Sequence, residues 1–184
     1  TLDVISGGRV DFGIGLSGQR GTKVEFDAVG VSVRTRGRRT YETMEVLQRL
    51  WTGEKVSHQG ECFNFEDVTL FPRPVHQPFP PIRVSGRSEA ARRRAALLGD
   101  GWYTYLCTVR RLRQSNETIR QIAAEAGRDL TNFHWGLNQP TAIADNREEA
   151  FAQAVANVGQ RYMTPERSAE DIARALCIAG TADD

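Results

Sequence analysis

Hydrophobic and polar positions along the chain follow two periods, one typical of strands and one typical of helices. Val10, Phe12 and Ile14 alternate with polar residues or glycine, which predicts a short strand. Over residues 40–51 the apolar positions recur every three or four residues and predict a helix, which Gly53 ends. No helical period is visible between these two elements, so that connection is expected to be a loop.

The C-terminal part of the chain shows a regular alternation of strand and helix patterns. Strands are predicted at residues 81–85, 101–106 and 133–138, and helices at 88–98 and 109–126, with further helices beginning at 146 and at 164–166. Strands that alternate with helices of this length indicate parallel strands with helical crossovers. The predicted class is therefore α/β, either a doubly wound sheet or a β/α barrel.

Residues 54–80 interrupt this alternation. The stretch is rich in aromatic residues and contains Pro72, Pro74 and Pro78, and it has no helical period. Extended segments or a surface loop with short strands are expected here. We interpret 54–80 as an inserted loop region within a single domain that spans 1–184, and insertions of this length are usually functional.

Composition and charge argue against several classes of protein, including nucleic-acid-binding, membrane and metal-binding proteins. The 24 Lys and Arg residues are matched by 23 Asp and Glu, so the net charge is +1 and no overall field favours nucleic acid or a membrane surface. No apolar run is long enough for a membrane span and no signal peptide begins the chain, which predicts a cytoplasmic protein. Three separated cysteines and three histidines without ligand spacing predict neither a disulfide framework nor a metal site.

The junction Gly86-Arg87-Ser88 lies between a predicted strand and a predicted helix. A helix N-terminus carries unpaired N–H groups and a partial positive charge, and both favour an anion. Ser88 either donates to such an anion or is simply an N-cap, and Gly86 either allows close approach or simply makes the turn. Both interpretations are open from the residues alone.

Other motifs are weaker. Gly13-x-Gly15-x-x-Gly18 matches a dinucleotide fingerprint only superficially, because no helical period follows it directly. The arginine-rich stretch 34–39 is interpreted as a solvated face with local ion pairs to Glu42 and Glu45. The aromatic strand around Trp102, Tyr103 and Tyr105 is expected in the core, although a side chain at its carboxyl end could line a cofactor ring.

Several segments together resemble the bacterial luciferase-like monooxygenase family, including its deazaflavin-dependent members. They are "TLDVISGGRVDFGIGLSG", the stretch from "RRTYETMEVLQRLWTGEKVSHQGECFNFEDV" through "PRPVHQPFPPI" to "SGRSEAA" and "GDGW", and the closing "IAGTADD". The resemblance implies a partial (β/α)8 TIM barrel, roughly strands 4 to 7 with their helices, incomplete at both ends. It also implies FMN or the deazaflavin coenzyme F-420 at the carboxyl ends of the strands.

The same resemblance implies the site residues. The cofactor phosphate would be held by Gly86, the backbone of Arg87 and Ser88, and the strand end from Gly15 to Gly18 would face the cofactor. In some members an arginine just after this strand contacts the phosphate; here Leu16 lies near that position, and Arg20 would be its substitute.

The implied activity is that of a flavin- or deazaflavin-dependent oxidoreductase or monooxygenase acting on a small organic molecule. The alternative is a noncatalytic barrel fragment or an association module, because an incomplete barrel exposes sheet edges and apolar helix faces. A homo-oligomer is a possible partner state, and neither nucleic acid nor membrane is expected. No catalytic acid or base is assigned, since His76 and His134 are interpreted as structural in preference to catalytic.

Overall fold

The computed structural model describes residues 1–17 and 22–184 and shows an α/β fold. Its strands are β1 (Phe12–Ile14), β2 (Val56–Gln59), β3 (Asn64–Val68), β4 (Ile82–Ser85), β5 (Gly101–Tyr105), β6 (His134–Asn138), β7 (Thr141–Ile143) and β8 (Ile178–Gly180). Its helices are α1 (Leu2–Ser6), α2 (Thr22–Ala28), α3 (Arg36–Trp51), α4 (Glu89–Leu98), α5 (Val109–Glu125), α6 (Arg147–Ala154), α7 (Gln160–Tyr162) and α8 (Ala169–Leu176).

The principal sheet has the strand order β1-β4-β5-β6. β1 and β4 pair in parallel, with Phe12 opposite Ile82 and Ile14 opposite Val84. Backbone hydrogen bonds also join the starts of neighbouring strands, from Asp100 N to Ile82 O at 2.7 Å and from His134 N to Asp100 O at 3.0 Å. These strands therefore run in the same direction, as the alternating pattern predicts, and within the described residues the sheet does not close into a barrel.

The chain divides into two compact units. The first comprises Thr1–Trp102 with Ile119–Trp135, and the second comprises Tyr103–Thr118 with Gly136–Asp184. In the first unit, fully buried side chains from α3, β4, α4 and α5 form the core; they include Met44, Ile82, Val84, Ala95 and Ile119. Because β4 is buried at alternate positions and α4 presents small alanines, this helix packs closely on the strand that leads into it.

The second unit contains a parallel pair, β7 and β8, that the sequence pattern did not predict. Each strand has only three residues, which is too short for a period of two to be recognised. The helix predicted to start at 164–166 is wrong: Thr164 and Arg167 form an isolated bridge, and α8 starts later, capped by Ser168.

The N-terminal half also departs from the prediction in one place. The predicted loop between β1 and the next helix contains α2 and a 3₁₀ turn, Val33–Thr35, and α3 begins at Arg36. The prediction failed because α2 is short and its Val24 is exposed, so no apolar stripe marks it.

The region 54–80 contains the antiparallel hairpin of β2 and β3, followed by irregular chain, and the expectation of short strands there is confirmed. Asn146 caps α6 by accepting from Glu149 N at 2.9 Å, as predicted. Gly127 lies in the left-handed conformation just after α5, also as predicted. Among the described residues, no helix is both long and apolar enough to cross a membrane.

Candidate cofactor-binding site

The carboxyl ends of β1 and β4 lie side by side. Their parallel register continues past Ile14 and Val84, so Gly15 comes next to Ser85, and a Cβ added at Gly15 would meet the Cβ of Ser85 at 3.6 Å. Gly15 is exposed and Gly86 follows Ser85 directly. The structure thus brings two of the predicted site positions, Gly15 and Gly86, to one edge of the sheet, the edge where parallel α/β folds bind ligands.

Gly86 occupies a backbone conformation that other residues rarely adopt, with φ of 133°. A Cβ at this position would lie 2.8 Å from the Cβ of Ala91, so a side chain would collide with the first turn of α4. The carbonyl of Gly86 accepts from Trp102 Nε1 at 2.9 Å, and Trp102 is only 1% exposed. The buried indole therefore fixes the turn, and Trp102 supports the site from behind without presenting its ring to a ligand.

Ser88 is the N-cap of α4. Its side-chain oxygen accepts from Ala91 N at 3.2 Å, and its carbonyl accepts from the N–H groups of Ala91 and Arg92, both at 3.1 Å. The N–H groups of Glu89 and Ala90 come earlier in the helix and have no carbonyl one turn back to bond. Within the described residues the Ser88 hydroxyl has no acceptor for its proton, so the helix start offers several donors in one direction.

The three consecutive arginines after this junction have different roles. Arg92 Nη1 donates to the Arg87 carbonyl at 3.1 Å and so holds the backbone of the junction. Arg93 is exposed, as expected for at least part of the run, but Arg94 is buried at 5% exposure. Sequence reasoning missed the contact of Arg92 and the burial of Arg94, because arginine has no apolar periodicity to mark an inward position.

Just beyond Gly15, the described chain has a residue in the left-handed conformation. Ser17 has a left-handed φ of 48° and its hydroxyl lies 2.8 Å from the hydroxyl of Thr22 at the start of α2. Leu16, the position where an arginine was considered, is half-buried. Gly18 and Arg20 lie outside the described residues, so their proposed approach to the cofactor stays a prediction.

Two histidines lie within hydrogen-bond distance of buried carboxylates. His76 Nδ1 lies 2.8 Å from Asp3 Oδ1, and the N–H groups of Val75 and His76 donate to Asp3 Oδ2 at 2.6 and 3.0 Å. Burial alone would raise the pKa of Asp3, but these hydrogen bonds outweigh it and lower that pKa. The arrangement matches the structural interpretation of His76, because it ties residues 75–76 to α1.

The other pair ties the hairpin to α3. Glu42 accepts from His58 Nε2 at 3.0 Å and from the N–H groups of Cys62 and Phe63 at 2.9 Å each. Burial opposes ionisation of Glu42, yet these donors lower its pKa to about 2. Glu42 thus accepts hydrogen bonds from the hairpin, and it does not form the ion pair that was expected with the arginine stretch 34–39.

His134 is the first residue of β6 and is exposed. It lies at the end where β6 begins, whereas Gly15 and Gly86 lie where β1 and β4 end. Among the residues that the structure describes, no group of three or more His, Cys, Asp or Glu is placed to hold a metal ion.

The arginine stretch 34–39 is engaged in local contacts. Arg36 Nη1 donates to Val33 O at 2.9 Å, Arg38 pairs with Glu61, and the Arg39 guanidinium lies 5.2 Å from the centre of the Phe63 ring. The expected ion pairing is therefore present for Arg38, but its partner comes from the hairpin and is not Glu42 or Glu45.

Comparisons with known proteins place these observations in a family. The family model described as luciferase-like monooxygenase matches residues 1–182. The chain is 33% identical over 155 residues to an FMNH2-dependent dimethylsulfone monooxygenase of Pseudomonas putida, covering 83% of this chain and 41% of that protein. It is 30% identical over 160 residues to the oxygenase component of a flavin-dependent trigonelline monooxygenase of Acinetobacter baylyi, covering 83% and 42%.

A solved structure agrees on the fold. An F420-dependent secondary alcohol dehydrogenase, in complex with an F420-acetone adduct, superposes with a TM-score of 0.79 at 20% identity, covering 98% of this chain and 59% of that one. The chain spans about two fifths of the length of the curated relatives it matches. The match over nearly every residue, together with the parallel sheet and the glycine-marked strand ends, shows that this chain belongs to the luciferase-like monooxygenase family.

Proposed function

We propose that the protein to which this chain belongs is a flavin-dependent oxidoreductase that oxygenates a small organic molecule, and that the start of α4 holds the phosphate of the flavin. Gly86, the backbone of Arg87 and Ser88 would grip the phosphate, and Gly15 would face the cofactor. The observation that carries the proposal is the donor set at α4, together with the glycine turn that Trp102 supports.

The residues present fit a phosphate. Gly86 leaves a cradle that any Cβ would fill, and the Ser88 proton has no acceptor among the described residues. The N-terminal helix dipole and the early N–H groups favour a dianion there. Gly15 has no side chain, so a ligand can lie against the backbone at the end of β1.

Each residue then has a defined task. Ser88 donates to a phosphate oxygen while its own oxygen keeps the N-cap bond to Ala91 N. Arg92 donates to the Arg87 carbonyl and so fixes the backbone beside the proposed phosphate position. When bound in its reduced form, FMN supplies the electrons for oxygen chemistry, and the protein supplies position and electrostatics.

The two curated relatives described above favour FMN over F-420, because one is named as FMNH2-dependent and the other as flavin-dependent. The F420-dependent neighbour supports the fold alone at its lower identity. Since the two relatives act on different compounds by name, the substrate is proposed only as a small organic molecule. The comparisons give no support to a noncatalytic module.

We also propose the arrangement of the domain. β1, β4, β5 and β6 would correspond to strands 4 to 7 of a (β/α)8 barrel, within one luciferase-like domain that covers 1–184. Residues 54–80 would be an insertion between a barrel helix and the next strand, since the β2–β3 hairpin is a separate sheet.

Flavin binding by the full chain tests the proposal. Quenching of flavin fluorescence is followed while the protein is titrated into FMN, and absorbance is followed for F-420. The variant Ser88→Asp keeps a good N-cap but places a negative charge against the phosphate, so we expect FMN affinity to fall about 30-fold or more, about 2 kcal/mol.

A matched control is Asn146→Asp, which adds the same charge at the N-cap of α6, where the side-chain oxygen keeps its bond to Glu149 N. It should leave FMN affinity unchanged. An equal loss of FMN affinity in both variants, or an FMN affinity that is unchanged in Ser88→Asp, would contradict the proposed phosphate site. Tighter binding of F-420 than of FMN would reassign the cofactor while keeping the site.

A further inference from the structure

A cavity of about 520 Å³ opens on the side of the first unit. It is lined by one face of α3, the turn of the β2–β3 hairpin and one face of α4. The α4 residues are Ala90, Arg93 and Arg94, three and four positions apart, and the phosphate residues Gly86 to Ser88 are not among the lining. Volumes of this size are typical of small-molecule sites.

Arg94 is the unusual group in this cavity. It is 5% exposed, and no hydrogen bond or ion pair joins its guanidinium to any residue in the described part of the chain. Burial lowers its pKa, and no neighbouring carboxylate compensates for the loss of water. Its Nη1 lies 3.9 Å from the position of a Cβ at Gly37, another lining residue, which places the charged end at the cavity wall.

A buried cation without a partner is rare in folded proteins, because desolvation of the charge is costly unless an anion offsets it. Even the half-buried arginines of this unit have acidic neighbours: Arg83 pairs with Asp11 at 2.8 Å, and Arg128 lies 3.6 Å from Asp100. Arg94 lacks such a partner while lining a cavity large enough to admit one.

The carboxylates of the cavity do not fill this role. Glu42 is committed to His58, Cys62 and Phe63, and Glu61 pairs with Arg38. Glu45 also lines the cavity, but its carboxylate lies beyond ion-pair distance of Arg94. A ligand in this cavity would therefore contact the buried guanidinium of Arg94, which has no carboxylate partner among the described residues. The exposed Arg93 lies beside it.

We propose that this cavity binds a small organic carboxylate, with its carboxyl group on Arg94 and its apolar body against Tyr41 and the stems of the lining side chains. The planar guanidinium donates two parallel hydrogen bonds to a carboxylate. A single negative charge fits better than the double charge of phosphate, because Glu45 and Glu61 line the same space. The site is separate from the phosphate grip at Ser88 and does not depend on flavin binding.

Isothermal titration of the full chain with benzoate tests this proposal, since benzoate joins one carboxylate to a compact apolar body. We expect saturable binding with a Kd on the order of 1 mM or tighter. Arg94→Gln should weaken it by about tenfold or more, because it removes the charge-assisted pair. Arg113→Gln, which removes an exposed arginine from α5, is the matched control and should bind as the parent does.

Two further measurements keep the outcome decisive. Without ligand, Arg94→Gln should not lower the melting temperature, because an uncompensated buried charge is removed; a clear drop would mean that Arg94 has a structural partner and would overturn the proposal. Arg94→Lys keeps the charge but loses the planar fork, so its benzoate affinity should also fall at least several-fold, and an unchanged affinity would overturn the proposed pair.

Variants of the two proposed sites, the phosphate site at Ser88 and the carboxylate site at Arg94, should have independent effects. Ser88→Asp should leave benzoate binding intact, and Arg94→Gln should leave FMN binding intact, so failure of one site does not imply failure of the other. Binding of inorganic phosphate in place of benzoate, benzoate binding that is lost in Ser88→Asp, or no binding at millimolar concentrations would each overturn the carboxylate site.

Discussion

Helices α4 and α8 both begin with a serine N-cap, and they use it differently. At α8, Ser168 accepts from Asp171 N at 3.1 Å and donates its proton to Asp171 Oδ2 at 2.7 Å, while Ser168 N reaches the same carboxylate at 3.3 Å. At α4, Ser88 accepts from Ala91 N in the same way, but the third helical residue is an alanine. The first cap is closed by its own acid, and the second remains open to an anion from outside.

We propose that this difference is what makes the start of α4 a binding site. A capping box consumes the donors of the first turn, and its carboxylate occupies the place where an external anion would sit. The α4 start lacks that carboxylate and is preceded by Gly86, whose positive φ lets backbone approach closely. The serine is common to both helices, so under this proposal the residues at the third helical position and before the cap distinguish the binding cap from the structural one.

The largest expected effect comes from changing the turn before the open cap. Gly86→Ala would strain the backbone at φ 133° and bring its Cβ to 2.8 Å from Ala91 Cβ. We expect the free energy of unfolding to fall by about 2 to 3 kcal/mol, measured by urea denaturation. Gly13→Ala is the control, since a Cβ there meets nothing within 4 Å. Similar losses in both variants would show that the Gly86 turn is not special.

The second largest effect is expected from removing the hydrogen bond that supports this turn. Trp102→Phe keeps a buried ring but leaves the Gly86 carbonyl without the indole N–H that donates to it at 2.9 Å. We expect a loss of about 1 to 2 kcal/mol in denaturation experiments, together with weaker FMN binding. Unchanged FMN affinity in a destabilised variant would mean that the indole serves stability alone.

Truncating the two serines compares the caps directly. Ser88→Ala and Ser168→Ala each remove an N-cap, so each should cost about 1 kcal/mol in the free energy of unfolding. Only Ser88→Ala should weaken FMN binding, by about three- to tenfold, because it also removes a donor to the phosphate. A loss of FMN affinity in Ser168→Ala would refute the distinction between the closed and the open cap.

The smallest effect is a pH dependence that belongs to the closed cap. Hydrogen bonds from Ser168, first from its side chain and then from its backbone, lower the pKa of Asp171. The cap therefore stabilises the fold fully above the unfolded pKa of about 4, and this contribution is lost as pH falls through the lowered pKa. The melting temperatures of the parent and of Asp171→Asn should converge progressively as pH falls below 4 toward the lowered pKa, and a difference that does not shrink over this range would contradict this origin.

Much of the fold could be predicted from the sequence where periodicity is strong. The buried alternation of β4, the stripe of α3 and the Asn146 cap all appear as expected, because burial on one face dictates residue type. The elements that were missed, such as α2 and the pair β7 and β8, are short, and a few residues cannot show a period. The start of α8 was misplaced because Pro165 suggested a first helical turn, whereas the Ser168 and Asp171 box forms the actual one.

The residues of the proposed site came from the family resemblance, and the contacts that support them were not predicted. The residues alone left Gly86 and Ser88 open between an anion site and a plain turn with an N-cap, and the parallel pairing of β1 and β4 is consistent with the place that the resemblance implies for Gly15. The bond from Trp102 to Gly86, the hold of Arg92 on Arg87 and the burial of Arg94 arise from tertiary packing. Sequence spacing carries no information on such contacts, since an arginine in a run of three looks the same whether it faces water or a cavity.

The claim that the open cap of α4 grips the flavin phosphate is tested most directly by comparing FMN with riboflavin, which lacks the phosphate. Both are titrated into the parent chain and into Ser88→Asp, with quenching of flavin fluorescence as the readout. We predict that the parent binds FMN at least about tenfold tighter than riboflavin, and that this preference disappears in Ser88→Asp while riboflavin affinity stays the same. Equal affinities of the parent for FMN and riboflavin, or a preference for FMN that survives in Ser88→Asp, would contradict the claim.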